Sequence, residues 1–246
     1  DGSTAGVDLS FEYRFYPTFG TNFIKQGWFQ YDFTENIQGQ LGVTQVPFGN
    51  LQYNSHNWWF SLPYYVGLED DHDMGFKLTK TTEEWQWDFA YFFQAEPEGP
   101  VNGSGNFGVG GSGRYSYDVI PGGNTPLTER NQFNVRGAYQ TGSSEIGASL
   151  QYGQLYNSSQ EDFSAQYAAA IHADLNSGNF NIKPQFLYYK KDATNAAGND
   201  VSTAFMGAYG IPYQVSTEAW IGTLGIAYSY DVEWGPITNL NFYNDF

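Results

Sequence analysis

Between Trp85 and Gln94 every second residue is a large aromatic (Trp85, Trp87, Phe89, Tyr91, Phe93), and the intervening positions are Gln86, Asp88, Ala90, Phe92 and Gln94. A period of two places one set on each face of an extended strand, whereas a helix would scatter both sets around its circumference. The same rhythm returns in Val7, Leu9, Phe11, Tyr13 and Phe15, set against Asp8, Ser10, Glu12, Arg14 and Tyr16. It returns again in Phe163, Ala165, Tyr167, Ala169, Ile171, Ala173 and Leu175, set against Ser164, Gln166, Ala168, Ala170, His172 and Asp174. Strands are expected over 6–16, 22–33, 37–46, 73–80, 84–95, 130–141, 145–156, 163–175, 179–191, 218–231 and 236–246. The fold class is all-β, with residues 1–246 as a single domain.

The connections between these strands alternate in length. Tight turns fall at Thr34-Glu35-Asn36, Thr81-Thr82-Glu83, Gly142-Ser143-Ser144, Asn176-Ser177-Gly178 and Glu233-Trp234-Gly235; longer connections cover 17–21, 47–72, 96–129, 157–162 and 192–217. That alternation matches an up-and-down antiparallel transmembrane β-barrel with short periplasmic turns and long extracellular loops. Composition agrees. Aromatic residues make up 19% of the chain, yet the mean hydropathy is −0.48 and no apolar run approaches the roughly 20 residues of a membrane helix. A transmembrane strand needs only about 9–11 residues with every second one apolar, which gives both properties together. Aromatics at both ends of strands, such as Tyr31, Phe33 and Trp85 near tight turns and Phe93, Tyr156 and Tyr188 near long loops, fit two membrane interfaces. A secreted all-β sandwich would share the alternation but has no reason to keep its long loops at one end. The expected location is the bacterial outer membrane, with lipid and lipopolysaccharide around the barrel.

A formal charge of −16 excludes nucleic acid as a partner, because phosphates require a basic surface. The absence of cysteine excludes disulfides and thiolate metal sites. Eleven strands is an odd number, and single-chain bacterial barrels close with even counts, so the barrel is expected to be incomplete. Either the chain is truncated at its C-terminus, or one strand hides within 47–72 or 192–217, with Phe205–Gly210 the best candidate.

The stretch Leu41-Gly42-Val43-Thr44-Gln45-Val46-Pro47-Phe48-Gly49 resembles the phosphate-selective porin O/P-like family of Gram-negative outer-membrane porins, in which a strand ends in Pro-Phe before an extracellular loop. The closing Asn241-Phe242-Tyr243-Asn244-Asp245-Phe246 is similar to a late strand of such porins. The resemblance implies a passive channel for small hydrophilic solutes or ions, with no catalytic residues and no cofactor. Gln45 stands where the family often carries Lys, so phosphate selectivity is not implied. Many porins are homotrimers, and the sequence marks no subunit interface.

With the apolar face toward lipid, the other parity lines the pore. Pore-lining candidates are Arg14, Gln30, Asp32, Lys77, Asp88, Arg136, Gln151, Lys183 and Lys191, a polar wall of mixed charge. The long connection 47–72 carries Trp58, Trp59, Tyr64 and Tyr65, an aromatic density that is costly in a solvated loop. It is expected to narrow the barrel mouth, to pack on neighbouring loops, or to form a subunit contact, and those four residues are the constriction-loop candidates. Glu69-Asp70-Asp71-His72-Asp73 reads as a solvated acidic loop end, with a divalent cation as the sharper alternative and no metal ligand assigned. The glycine-rich 103–113 lacks Gly-Lys-Ser/Thr and reads as a flexible loop tip rather than a phosphate loop. His56, His72 and His172 lie in unrelated contexts and give little support to a Ser-His-Asp site. Two further readings are a barrel-anchored surface binding or adhesion protein and, with less support, an outer-membrane hydrolase.

Overall fold

A computed structural model describes residues 1–17, 20–51, 53–57, 61–99, 113–209 and 212–246. Its strands are β1 (Gly2–Thr4), β2 (Val7–Tyr16), β3 (Thr21–Thr34), β4 (Ile37–Gln45), β5 (His72–Thr81), β6 (Trp85–Ala95), β7 (Asp118–Val119), β8 (Leu127–Thr141), β9 (Ser144–Asn157), β10 (Asp162–Ser177), β11 (Phe180–Lys191), β12 (Thr203–Gly207), β13 (Tyr213–Ser216), β14 (Glu218–Trp234) and β15 (Ile237–Asp245). Twelve form one antiparallel up-and-down sheet in the order β1-β2-β3-β4-β5-β6-β8-β9-β10-β11-β14-β15. Among the described residues its two edges, β1 and β15, do not pair with each other. The eleven expected strands are all present, and the twelfth is β1, joined to β2 by Ala5-Gly6 with both residues at positive φ (51° and 78°). That geometry is a two-residue hairpin turn whose twist suits the strands it joins. Phe205–Gly210 does overlap a strand, β12, but β12 belongs to a separate three-stranded sheet with β7 and β13. The short–long rhythm of the main sheet is therefore undisturbed.

Two of the tight turns rest on glycine. Gly178 and Gly235 open the β10–β11 and β14–β15 turns at φ 57° and 62°, where a side chain would strain the backbone. The long connections gather at the opposite end. There β7, β12 and β13 cover an apolar cluster of Tyr64, Tyr117, Val119, Leu127, Leu155, Ala204, Met206 and Ala208, forming a cap.

The two faces of the sheet are inverted relative to a water-soluble protein. Leu150, Ile171 and Trp220 are 62%, 63% and 67% exposed, and Phe11, Phe29, Phe89, Phe133 and Phe186 share that outer face. The inner face buries Asp88, Asn134, Arg136, Ser149, Gln151, Gln166, Gln185 and Thr223. Bulges adjust which residues turn inward. Asn131, at φ 49°, is the extra residue where β8 slips against β9, and it lets both Glu129 and Gln132 face inward. Lys25 is the extra residue where β3 slips against β2.

Candidate functional site

Arg136 lies at the centre of the inner face and is 1% exposed. Alternation on β8 points its side chain inward, and the wall supplies its partners. Its guanidinium pairs with Glu145, lies 3.8 Å from Asp88 and 3.1 Å from His172 Nε2, and donates from Nε to the Gly49 carbonyl at 2.9 Å. The last contact matters most, because Gly49 belongs not to the wall but to the segment leaving β4.

That segment, described at 46–51 and 53–57, has contacts across the inner face from β8 to β15. Gly49 N donates to Ser149 Oγ at 3.0 Å, and Asn50 N to Gln185 Oε1 at 2.8 Å. Asn54 Nδ2 donates to Thr223 Oγ1, and the Tyr53 carbonyl accepts from Lys183 Nζ at 3.4 Å. His56 reaches β15 and β11, its Nδ1 2.9 Å from Asp245 Oδ1 and its Nε2 2.6 Å from Asn181 Oδ1. Val46 and Phe48 pack with Ala90, Ala168, Ala170 and Leu187. Small residues on the inner wall of β10 leave room for the Phe48 ring. The two ends of the connection meet, with Val46 N donating to the Asp71 carbonyl at 2.8 Å.

The candidate pore-lining residues spread around this inner face. Arg14 pairs with Glu12 at 2.6 Å and stands 4.8 Å from the Tyr115 ring. Gln30 donates to Asp32 at 3.2 Å near the short-turn end, where Asp32 is exposed. Lys77 Nζ donates to the Gln45 carbonyl at 3.1 Å. Asp88 accepts from Thr79 at 2.7 Å, and Gln151 bridges Asn134 and Gln132 at 3.0 Å each. Lys183 lies 3.6 Å from Asp174, and Lys191 donates to Gln166 at 3.0 Å with Glu129 3.8 Å away. The structure brings Arg136 and Asp88 together and sets each of the other candidate cations against its own carboxylate or carbonyl.

The long connection divides its roles. Trp58 and Trp59 lie outside the described residues, as does nearly all of 103–113. Tyr64 is fully buried in the cap, its hydroxyl donating to the Tyr115 carbonyl at 2.8 Å, and the Tyr65 carbonyl accepts from Tyr213 at 2.6 Å. The polar side chains of this connection that reach the wall include Asn54 and His56, beside the backbone of Gly49 and Asn50. Lys25 also belongs to the site, 3.8 Å from Asp70 and 4.7 Å from the Tyr115 ring. With Gln26, Trp28, Gln40, Lys77 and Asp70 it lines a polar cavity of about 280 Å³ beside the crossing segment. Neither Lys25 nor Glu129 follows from strand parity, since each depends on a bulge.

The acidic run Glu69–Asp73 is not a solvated loop end. All five residues are buried, because the connection returns beneath the cap instead of over it. Glu69 accepts from Asn54 N at 3.2 Å and from Ser61, and burial pushes its carboxyl above the usual range. Asp71 and Asp73 meet two carboxylates from distant segments, Glu96 and Asp118, so these four residues are the group able to hold a metal ion among the described residues.

No family model matches this chain, and searches of curated proteins and of solved structures find no match.

Proposed function

We propose that this chain is an outer-membrane porin, a passive diffusion channel for small hydrophilic solutes or ions, and not an enzyme. The observation that carries the reading is the inversion of the sheet, with large apolar side chains outside and hydrogen-bonded amides and ion pairs inside. In water such an outer face would be an aggregation surface far larger than a few hundred Å². In a bilayer it is the lipid-facing band of a barrel, and the up-and-down order with long connections at one end suits outer-membrane insertion. Lipid and lipopolysaccharide are then the outer partners, with the cap on the extracellular side.

The segment 46–57 acts as the constriction. It rests on five strands through polar contacts, and the free space beside it is lined by Lys, Gln and Asp, which suits hydrated ions and small polar solutes. Anion capture of the phosphate-selective kind needs clustered unpaired cations. Here Arg14, Arg136, Lys183 and Lys191 each face a carboxylate, which argues against it.

Planar-bilayer recording of the purified protein tests the reading. Discrete, ohmic conductance steps are expected. Folded protein that inserts into the bilayer without conducting would overturn the channel and favour a barrel that anchors a binding surface.

A further inference from the structure

Four carboxylates converge beneath the cap from separate parts of the chain. Asp71 ends the returning connection, Asp73 lies two residues on in β5, Glu96 follows β6, and Asp118 opens β7. All four are buried, at 4%, 1%, 1% and 1% exposure, and one oxygen from each lies within 4.8 Å of the others. Donors around the group hold some of its oxygens. Glu96 Oε1 accepts from the amides of Tyr115 and Ser116 at 3.0 and 2.9 Å and from the Ser116 hydroxyl at 2.9 Å. Asp73 Oδ2 accepts from Gln132 at 3.2 Å.

Other oxygens of the group are unpartnered. Asp71 Oδ1, Asp73 Oδ1, Glu96 Oε2 and both oxygens of Asp118 are buried without any hydrogen bond. That observation is separate from the clustering, since buried carboxylates ordinarily find donors. Arg114 comes nearest, 3.7 Å from Asp118 Oδ2, too far for a hydrogen bond. One guanidinium against four carboxylates leaves a large negative excess out of water, which something must neutralise.

We propose that Asp71, Asp73, Glu96 and Asp118 form a calcium site that ties the 114–119 strap to the ends of β5 and β6 and to the neck of the crossing segment. Calcium takes 6–8 oxygens at about 2.3–2.6 Å, so opposed ligands stand roughly 4.6–5.2 Å apart, which the spread of this group accommodates. Magnesium demands about 2.0–2.1 Å octahedral contacts and gives up its water reluctantly, and so suits a dry all-carboxylate group less well. Asp71 also accepts Val46 N through its carbonyl, so the ion would fix the point where the crossing segment enters and leaves the interior. The site stands whether or not the barrel conducts.

The test uses the full chain refolded from denaturant into detergent micelles, free of lipopolysaccharide, stripped with chelator and titrated calorimetrically with calcium chloride or magnesium chloride. One calcium per chain is expected, with Kd below about 100 µM and magnesium at least tenfold weaker. Asp118→Asn and Glu96→Gln should each weaken calcium binding at least tenfold, while Glu161→Gln, on an exposed turn, should not. Calcium, but not magnesium, should also slow tryptic cleavage after Arg114 severalfold in the unmodified chain. That readout remains decisive should either variant misfold. No binding at 1 mM calcium, the result expected if shared protons alone neutralise the group, would overturn the proposal. So would undiminished binding by both variants, or equal protection by magnesium.

Discussion

Leu150 and Arg136 show how the two faces of one sheet reverse the usual rules for individual residues. Leu150 is 62% exposed, which in a soluble protein would make it a tolerant position. With that face toward lipid, as proposed, Leu150→Arg would place a charge within the bilayer and is expected to cost about 2–4 kcal/mol in a folding titration into vesicles. Gln30→Arg, on the inner face beside Asp32, should stay within about 1 kcal/mol of the parent. Equal tolerance at the two positions would remove the membrane assignment. Arg136 presents the opposite case, a buried charge held by Asp88, Glu145 and the Gly49 carbonyl. Arg136→Ala leaves buried carboxylates uncompensated, and a loss of roughly 3–5 kcal/mol is expected in the same titration. Because the side chain also holds the crossing segment, single-channel conductance of Arg136→Ala should rise or become noisy. A stable variant with unchanged conductance would mean that the Gly49 contact does not hold the segment in place.

At the level of elements, the strands were legible because a pleated strand with one apolar face prints its period directly into the sequence, as Trp85–Gln94 does. Two of the turns were legible through Gly178 and Gly235, whose φ values only glycine adopts freely. What escaped was every feature set by register. Asn131 breaks the alternation of β8 by one residue, and Glu129 thereby joins Lys191 and Gln166 on the inner wall. The bulge at Lys25 does the same for a cation absent from the parity-based set. The aromatic density of 55–65 did signal that the long connection is not solvated. Of the readings it left open, packing on neighbouring loops describes Tyr64, which serves the cap, while Asn50, Asn54 and His56 meet the wall. The four-carboxylate group was half legible, since Asp71 and Asp73 stand two residues apart in one acidic run, but nothing local links them to Glu96 or Asp118. The seating of the crossing segment can be tested directly in a chain without cysteine. Asn54→Cys with Thr223→Cys, whose side chains hydrogen-bond across the interior, should oxidise to an intramolecular disulfide. Oxidised and reduced forms should conduct alike, because the segment is already seated. A pair that stays reduced under oxidant, or a large conductance change on cross-linking, would show that the segment leaves the wall.

For the whole molecule, the balance of charge decides what would pass. The chain carries 26 acidic and 10 basic residues, and the inner-face cations are largely spoken for. Arg14 faces Glu12, Lys25 faces Asp70, Arg136 faces Glu145, Lys183 faces Asp174 and Lys191 faces Glu129. A paired cation presents little net field to a passing ion, so the residual potential comes from the acidic excess, including the exposed Asp32 at the short-turn end. A narrow, low-dielectric passage concentrates that potential, and ions of opposite sign are favoured at its mouth. Weak cation preference is therefore expected, with a reversal potential under a potassium chloride gradient displaced toward the potassium equilibrium value. The preference should shrink as salt rises from 0.1 to 1 M, because the screening length falls from about 10 Å to about 3 Å. Removing a carboxylate partner should act in the opposite direction: Asp174→Asn frees Lys183 beside the crossing segment and should move selectivity toward anions. A clear anion preference in the unmodified protein would mean that some of these ion pairs open in the conducting state, which would bring phosphate-type selectivity back into consideration.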